Sequence, residues 1–140
     1  MAFALLVSSM KAMKLKMMVS IGIGGMLGAV GRYAISLTFL AEPTFPYPTL
    51  IANLIGCFLL SFLLHTKLIK RHVTPIILNA LTVGMIGAFT TFSTLALETI
   101  TLWRNLPILA AVYVFISITA GIACCFLGVK LAYRLERSTI

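Results

Sequence analysis

The sequence predicts an all-α membrane protein with four transmembrane helices, the third broken in mid-membrane. Three observations lead there. The 140-residue chain is 61% hydrophobic and 10% charged, with mean hydropathy +1.10, whereas a small globule in water must cover much of its surface with polar groups. A helix needs about 20 apolar residues to span a hydrocarbon core, so the chain has room for four spans and short loops. The third apolar run is longer than one straight span requires, and it carries glycines and hydroxyls at its centre.

The opening stretch "MAFALLVSSMKAMKLKMM" sets its apolar residues ahead of the lysines, the reverse of a signal peptide. Met10, Met13 and Met17 are alternative starts, and residues 1–16 are read as a tail. A membrane domain over 17–135 follows. Span one covers about 17–40, and Glu42, Pro43, Pro46 and Pro48 mark a short loop. Span two covers about 49–66 and is closed by the cations of "KLIKRH". Span three, about 73–103, would measure about 45 Å as straight helix. That excess length, with Gly84 and Gly87 near its centre, predicts a break at the glycines. "RNLP" is a tight connection, span four covers about 108–131, and residues 136–140 form a C-terminal tail.

The net charge of +8 does not point to nucleic acid, because the cations flank the apolar runs as they do beside membrane helices. Lys11, Lys14, Lys16, Lys67, Lys70, Arg71, Lys130, Arg134 and Arg137 fall in the N-terminus, the second loop and the C-terminus. Arg104 alone occupies an odd-numbered loop. Both termini are therefore expected on the cytoplasmic side of the cell's inner membrane. Cys57, Cys124 and Cys125 form no CxxC pair and no His–Cys cluster, so metal or disulfide chemistry is not expected, and they read as small polarizable core residues. His65 and His72 read as solvated, without a metal role.

The polar residues inside the spans are the anomalies. A charge such as Arg32 costs about 3 kcal/mol within a span on insertion scales. It either snorkels to the interface or faces the bundle or a water-filled vestibule, where it attracts an anion or ties helices together. Gly24 and Gly28 form a GxxxG pair suited to close helix packing. Asn53 needs partners in hydrocarbon and shares a helix face with Thr49. Its amide serves either an interhelical hydrogen bond or an anion. In "GMIGAFTTFSTLALE", from Gly84 to Glu98, the hydroxyls of Thr90, Thr91, Ser93 and Thr94 can satisfy freed backbone groups. Carbonyls exposed by a break are hard ligands suited to Na⁺. The positive ring edge of Phe92 can face an anion. Glu98 either accepts hydrogen bonds from hydroxyls or lies near the interface. Tyr113 and Ser117 share a face of span four with Gly121.

Together "GGMLGAVGRY", "PTLIANLIGCFLLSFLL", "GMIGAFTTFSTLALE" and "YVFISITAGIACCFLG" resemble the four signature segments of the CrcB/Fluc family of fluoride channels, over about residues 20–130. The resemblance implies an antiparallel, dual-topology dimer of four-helix subunits with two narrow pores. It implies passive export of fluoride ion, which is trapped in the cytoplasm after hydrogen fluoride enters as a neutral acid. Gly87 and Thr90 match positions whose backbone carbonyls hold a structural Na⁺ on the dimer axis. Phe92 matches a phenylalanine whose ring edge faces fluoride, and Asn53 matches the pore amide. Thr49, Ser93, Thr94, Glu98, Tyr113 and Ser117 resemble the polar track, and Arg32 the vestibule arginine.

Two features depart from the family. Leu95 stands where a second phenylalanine is usual, and the cation bias is strong for a chain that should insert both ways. They leave open a non-conducting member of a heteromeric channel, paired with a homologue of opposite topology. A small proton-coupled multidrug-type exporter would share the size but needs a carboxylate deep in span one, which this chain lacks. An accessory membrane subunit would not explain Arg32, Asn53 and the hydroxyl run together. An enzyme is not expected, because the sequence shows no nucleophile–base pair or metal-ligand set.

Overall fold

A computed structural model describes residues 2–39 and 44–137. Leu40, Glu42 and Pro43 of the expected span end and loop, and residues 138–140 of the expected tail, lie outside the described residues. Four stretches among the described residues are long and apolar enough to cross a membrane: Met13–Leu37, Tyr47–His65, Pro75–Asn105 and Pro107–Arg137. The chain is thus a multi-pass, all-helical membrane protein.

Helix α1 spans Ala2–Leu37, 36 residues. Residues 2–16 of the predicted tail are therefore helical and continuous with the first span. Alanine, leucine, methionine and lysine favour helix, and neither proline nor glycine precedes Gly22. Helix α2, Tyr47–His65, has proline in its first turn, where a missing N–H leaves no helical bond unmade. It ends at Thr66, which is extended (φ −80°, ψ 106°). The cations assigned to the end of span two form a separate short helix instead, α3, Lys67–His72. Lys67 ties this helix to the far end of the chain. Its backbone N–H donates to Glu136 Oε1, and its Nζ lies 3.6 Å from Glu136 Oε2.

The third stretch is composite. Helix α4, Pro75–Asn79, starts at Thr74, whose side chain caps it by accepting from the Ile77 N–H. A π-helical segment follows over Ala80–Ile86, then the single turn α5, Gly87–Phe89. Thr90 (φ −83°, ψ 156°) and Thr91 (φ −149°, ψ 127°) are extended, and α6 resumes over Phe92–Asn105. The glycines expected to break the helix do not do so: Gly84 lies inside the π segment, and Gly87 is helical (φ −62°, ψ −35°). Helix α7, Pro107–Arg137, follows a one-residue link at Leu106 and carries Lys130, Arg134 and Arg137 in its last turns.

The partners of the third stretch change along its length. The π segment, α4 and α5 pack on α1, while α6 packs on α7, which also packs along α2. Small residues set the approach. A Cβ on Gly28 would meet the Met85 carbonyl oxygen, and one on Gly128 the Phe58 carbonyl oxygen. Backbone cannot yield as a flexible side-chain tip can. Gly28→Ala and Gly128→Ala should therefore each destabilise the fold by about 1–3 kcal/mol, the usual scale of overpacking. Gly22→Ala, with nothing within 4 Å of its Cβ, should not. Thermal unfolding in one detergent, read across the three variants, checks the order.

Candidate functional site

Two extended residues in an apolar stretch leave backbone groups that cannot be satisfied by hydrocarbon. Asn53 of α2 satisfies those of Thr91. Its Nδ2 donates to the Thr91 carbonyl at 2.9 Å, and the Thr91 N–H donates to its Oδ1 at 2.8 Å. One side-chain amide thus takes the place of a peptide group on both sides of Thr91. The interhelical-bond reading of Asn53 is realised. One N–H of the amide is committed, and a second remains on a residue that lines a cavity.

Thr91 is also the N-cap of α6. Its Oγ1 accepts from the Thr94 N–H at 3.1 Å, donates to Thr94 Oγ1 at 3.0 Å and lies 3.3 Å from Ser93 Oγ. This satisfies one of the donors that every helix start leaves open. Thr90 Oγ1 donates back to the Ile86 carbonyl at 2.9 Å. The N–H that an uninterrupted helix would give to the Gly87 carbonyl is the one taken by Asn53. That carbonyl is a hard oxygen ligand of the kind a small cation takes.

A second cluster is centred on Glu98. Thr49 of α2 donates to Oε1 at 2.7 Å, and the Tyr113 hydroxyl of α7 donates to Oε2 at 2.7 Å. Tyr113 is fully buried, and Phe45 meets its ring edge-on, with centroids 5.3 Å apart. Each carboxylate oxygen thus has its own donor, and three helices are pinned together. Ser117 donates to the Tyr113 carbonyl at 2.7 Å, so its hydroxyl proton is held within α7.

The structure sorts the predicted residues into two cavities. One, of about 330 Å³, is lined by Arg32, Thr49, Thr94 and Glu98. Arg32 and the Thr94 hydroxyl bring donors to it, since Thr94 accepts from Thr91 and keeps its own O–H. The other, of about 430 Å³, is lined by Asn53, Gly87, Thr90, Phe92, Leu95 and Ser117. Thr91 lines both. Tyr113 sits behind Glu98, and Ser93 is exposed beside Thr91. Phe92 is 81% exposed, so most of its ring lies outside the packed helices, at the edge of the Asn53 cavity.

Thr91 is the residue that sequence reasoning undervalued, as one hydroxyl among four. The available signal was local: a threonine just ahead of a helical apolar run is a capping position. Its pairing with Asn53, 38 residues away, has no local signature.

The sequence profile described as CrcB-like protein, camphor resistance (CrcB), matches residues 19–129. The chain belongs to the CrcB family. Among relatives of this CrcB chain, the fluoride-specific ion channel FluC 1 of Desulfitobacterium hafniense is 40% identical over 114 residues, 81% of this chain and 100% of the relative. The FluC 2 protein of Listeria monocytogenes serotype 4b is 42% identical over 116 residues, 82% and 89% of the two chains. FluC 1 of Bacillus cereus is 43% identical over 115 residues, 79% and 83%. The CrcB match contains Arg32, both cavities and the Asn53–Thr91 pairing.

Replacing Asn53 with leucine leaves the Thr91 N–H and carbonyl without these partners. We expect a loss of about 1–3 kcal/mol for each group left unsatisfied, whereas Ser93→Ala, on an exposed side chain, should be nearly neutral. Thermal unfolding of the purified variants reads the difference.

Proposed function

We propose that this chain is a fluoride-selective ion channel that lets fluoride leave the cytoplasm passively and so lowers its toxicity. It is a channel and not an enzyme. The reading rests on the extended Thr91, held by Asn53 between two polar-lined cavities, in a chain whose relatives are named fluoride-specific channels. An anion entering the first cavity meets the Arg32 guanidinium and the Thr94 hydroxyl. The Glu98 carboxylate would repel it, but Thr49 and Tyr113 already donate to both carboxylate oxygens. Beyond Thr91, the free N–H of Asn53 and the ring edge of Phe92 offer the next positive surfaces.

The working form in this proposal is an antiparallel, dual-topology dimer in the cell's inner membrane, with the third span broken at mid-bilayer. The outward ring of Phe92, 81% exposed beside the Asn53 cavity, supports a second copy there. The carbonyls of Gly87 and Thr90 would hold a structural sodium ion, which would supply positive charge beside them. The Gly87 oxygen, whose helical donor is diverted to Asn53, fits that role.

A second reading has two observations behind it. Leu95 lines the same cavity as Phe92 without a ring edge, and nine of the eleven Lys and Arg residues favour one side of the membrane, with both termini cytoplasmic. Such a chain would pair with an oppositely oriented homologue and conduct only as a heterodimer. A proton-coupled exporter has less support, since no carboxylate occurs in the first span.

Reconstitution of the purified chain alone in liposomes decides between them. Fluoride efflux read by an electrode, without chloride efflux, supports the homodimer. Efflux only after a homologue is added supports the heterodimer, and none in either case rejects the channel. In the conducting form, Phe92→Ile and Asn53→Asp should each slow efflux at least about tenfold, which corresponds to ~1.4 kcal/mol of barrier. Full flux in both variants would reject the assigned pathway.

A further inference from the structure

Helix α7 presents Ser117, Gly121 and Cys125 at four-residue intervals, which places them on one face. That face meets Cys57 of α2. A Cβ on Gly121 would lie 3.6 Å from Cys57 Sγ, and Cys125 Sγ lies 3.6 Å from the Cys57 carbonyl oxygen. Both thiols line a cavity of about 500 Å³. Cys124, one residue away and so turned about 100° around the helix, does not line it. None of the three cysteines is in a disulfide.

We propose that Cys57 and Cys125 form a two-coordinate site for a soft divalent cation, with Hg²⁺ as its probe. Soft cations select thiolate ligands. Among the described residues no group of three or more His, Cys, Asp or Glu side chains is placed to hold a metal, which disfavours the four-ligand shell of zinc and leaves linear S–metal–S binding. Charge balance selects a divalent ion. Mercuric chloride and two thiols give a neutral S–Hg–S bridge and two HCl, whereas a monovalent ion with two thiolates would bury a net negative charge at high cost.

Position gives the site a consequence. Cys57 and Ser117 also line the cavity that contains Asn53 and Phe92. A metal bridging α2 to α7 there would occupy its wall and stop anion passage. This consequence rests on the channel reading above, whereas the binding does not.

The test takes the purified full chain with one equivalent of mercuric chloride, followed by a wash in excess monothiol. A bridged metal should survive the wash, because release requires both sulfurs to exchange. Intact mass should show one mercury per chain, and titratable thiols should fall from three to one. Loss of the metal in the wash, or an unchanged thiol count, overturns the site without recourse to any variant. Cys124→Ser should keep the metal, while Cys57→Ser and Cys125→Ser should release it; retention by either of those two overturns the pairing. In liposomes, retained mercury should abolish fluoride efflux, and undiminished efflux overturns the closure. Absence of efflux before treatment rejects the channel reading, with the thiol site still decided by the mass.

Discussion

The structure depends on one side-chain amide standing in for a peptide group. Thr90 and Thr91 are extended near the middle of the Pro75–Asn105 stretch, where lipid offers no partner and each unsatisfied group costs several kcal/mol. Asn53 answers with one donor and one acceptor in the geometry a neighbouring strand would use. Among side chains only asparagine and glutamine carry an amide, with the N–H and C=O of a peptide in one planar group. The Thr91 hydroxyl caps α6 by accepting from the Thr94 N–H, and the Thr90 hydroxyl joins its own N–H on the Ile86 carbonyl. Neither the irregular backbone nor the cavities on each side of it would persist in hydrocarbon without that set.

The same two residues let the third stretch change partners. A straight helix of 31 residues would present one stripe to one neighbour. Here the π segment and α5 lie on α1, where glycines allow backbone to approach backbone, while α6 lies on α7. The offset carries Thr94 and Glu98 to the side of the molecule where Arg32, Thr49 and Tyr113 converge. Glu98 then receives Thr49 from α2 and Tyr113 from α7. The two polar clusters are consequences of a single irregularity in the chain.

Much of this was legible in residue order. The four spans follow from apolar length alone, and the polar residues singled out, Ser93 apart, are those that line the two cavities or pin Glu98. Pairing across the sequence was not legible, because the Asn53–Thr91 and Thr49–Glu98 contacts depend on how α2 meets the third stretch. The glycines misled for a physical reason. Gly84 and Gly87 suggest flexibility when read along the chain, yet a Cβ on Gly84 would meet the Ile21 carbonyl oxygen, so its small size serves packing. The extended conformation falls on threonines, whose β-branched side chains favour it.

Leu95 gains its meaning from the same geometry. Three residues after Phe92 on α6, it shares that ring's helix face and its cavity wall. A leucine fills space there but offers no positive edge, so this wall has one fewer group with which to meet an anion than a wall carrying two aromatic rings. The remaining positive surfaces, Phe92 and the free N–H of Asn53, lie at the Thr91 end of the cavity. The rest of the wall presents mainly apolar contact. A partner chain that brings its own ring to this cavity would restore what Leu95 lacks, and the outward-facing Phe92 of a second copy is one side chain able to do so.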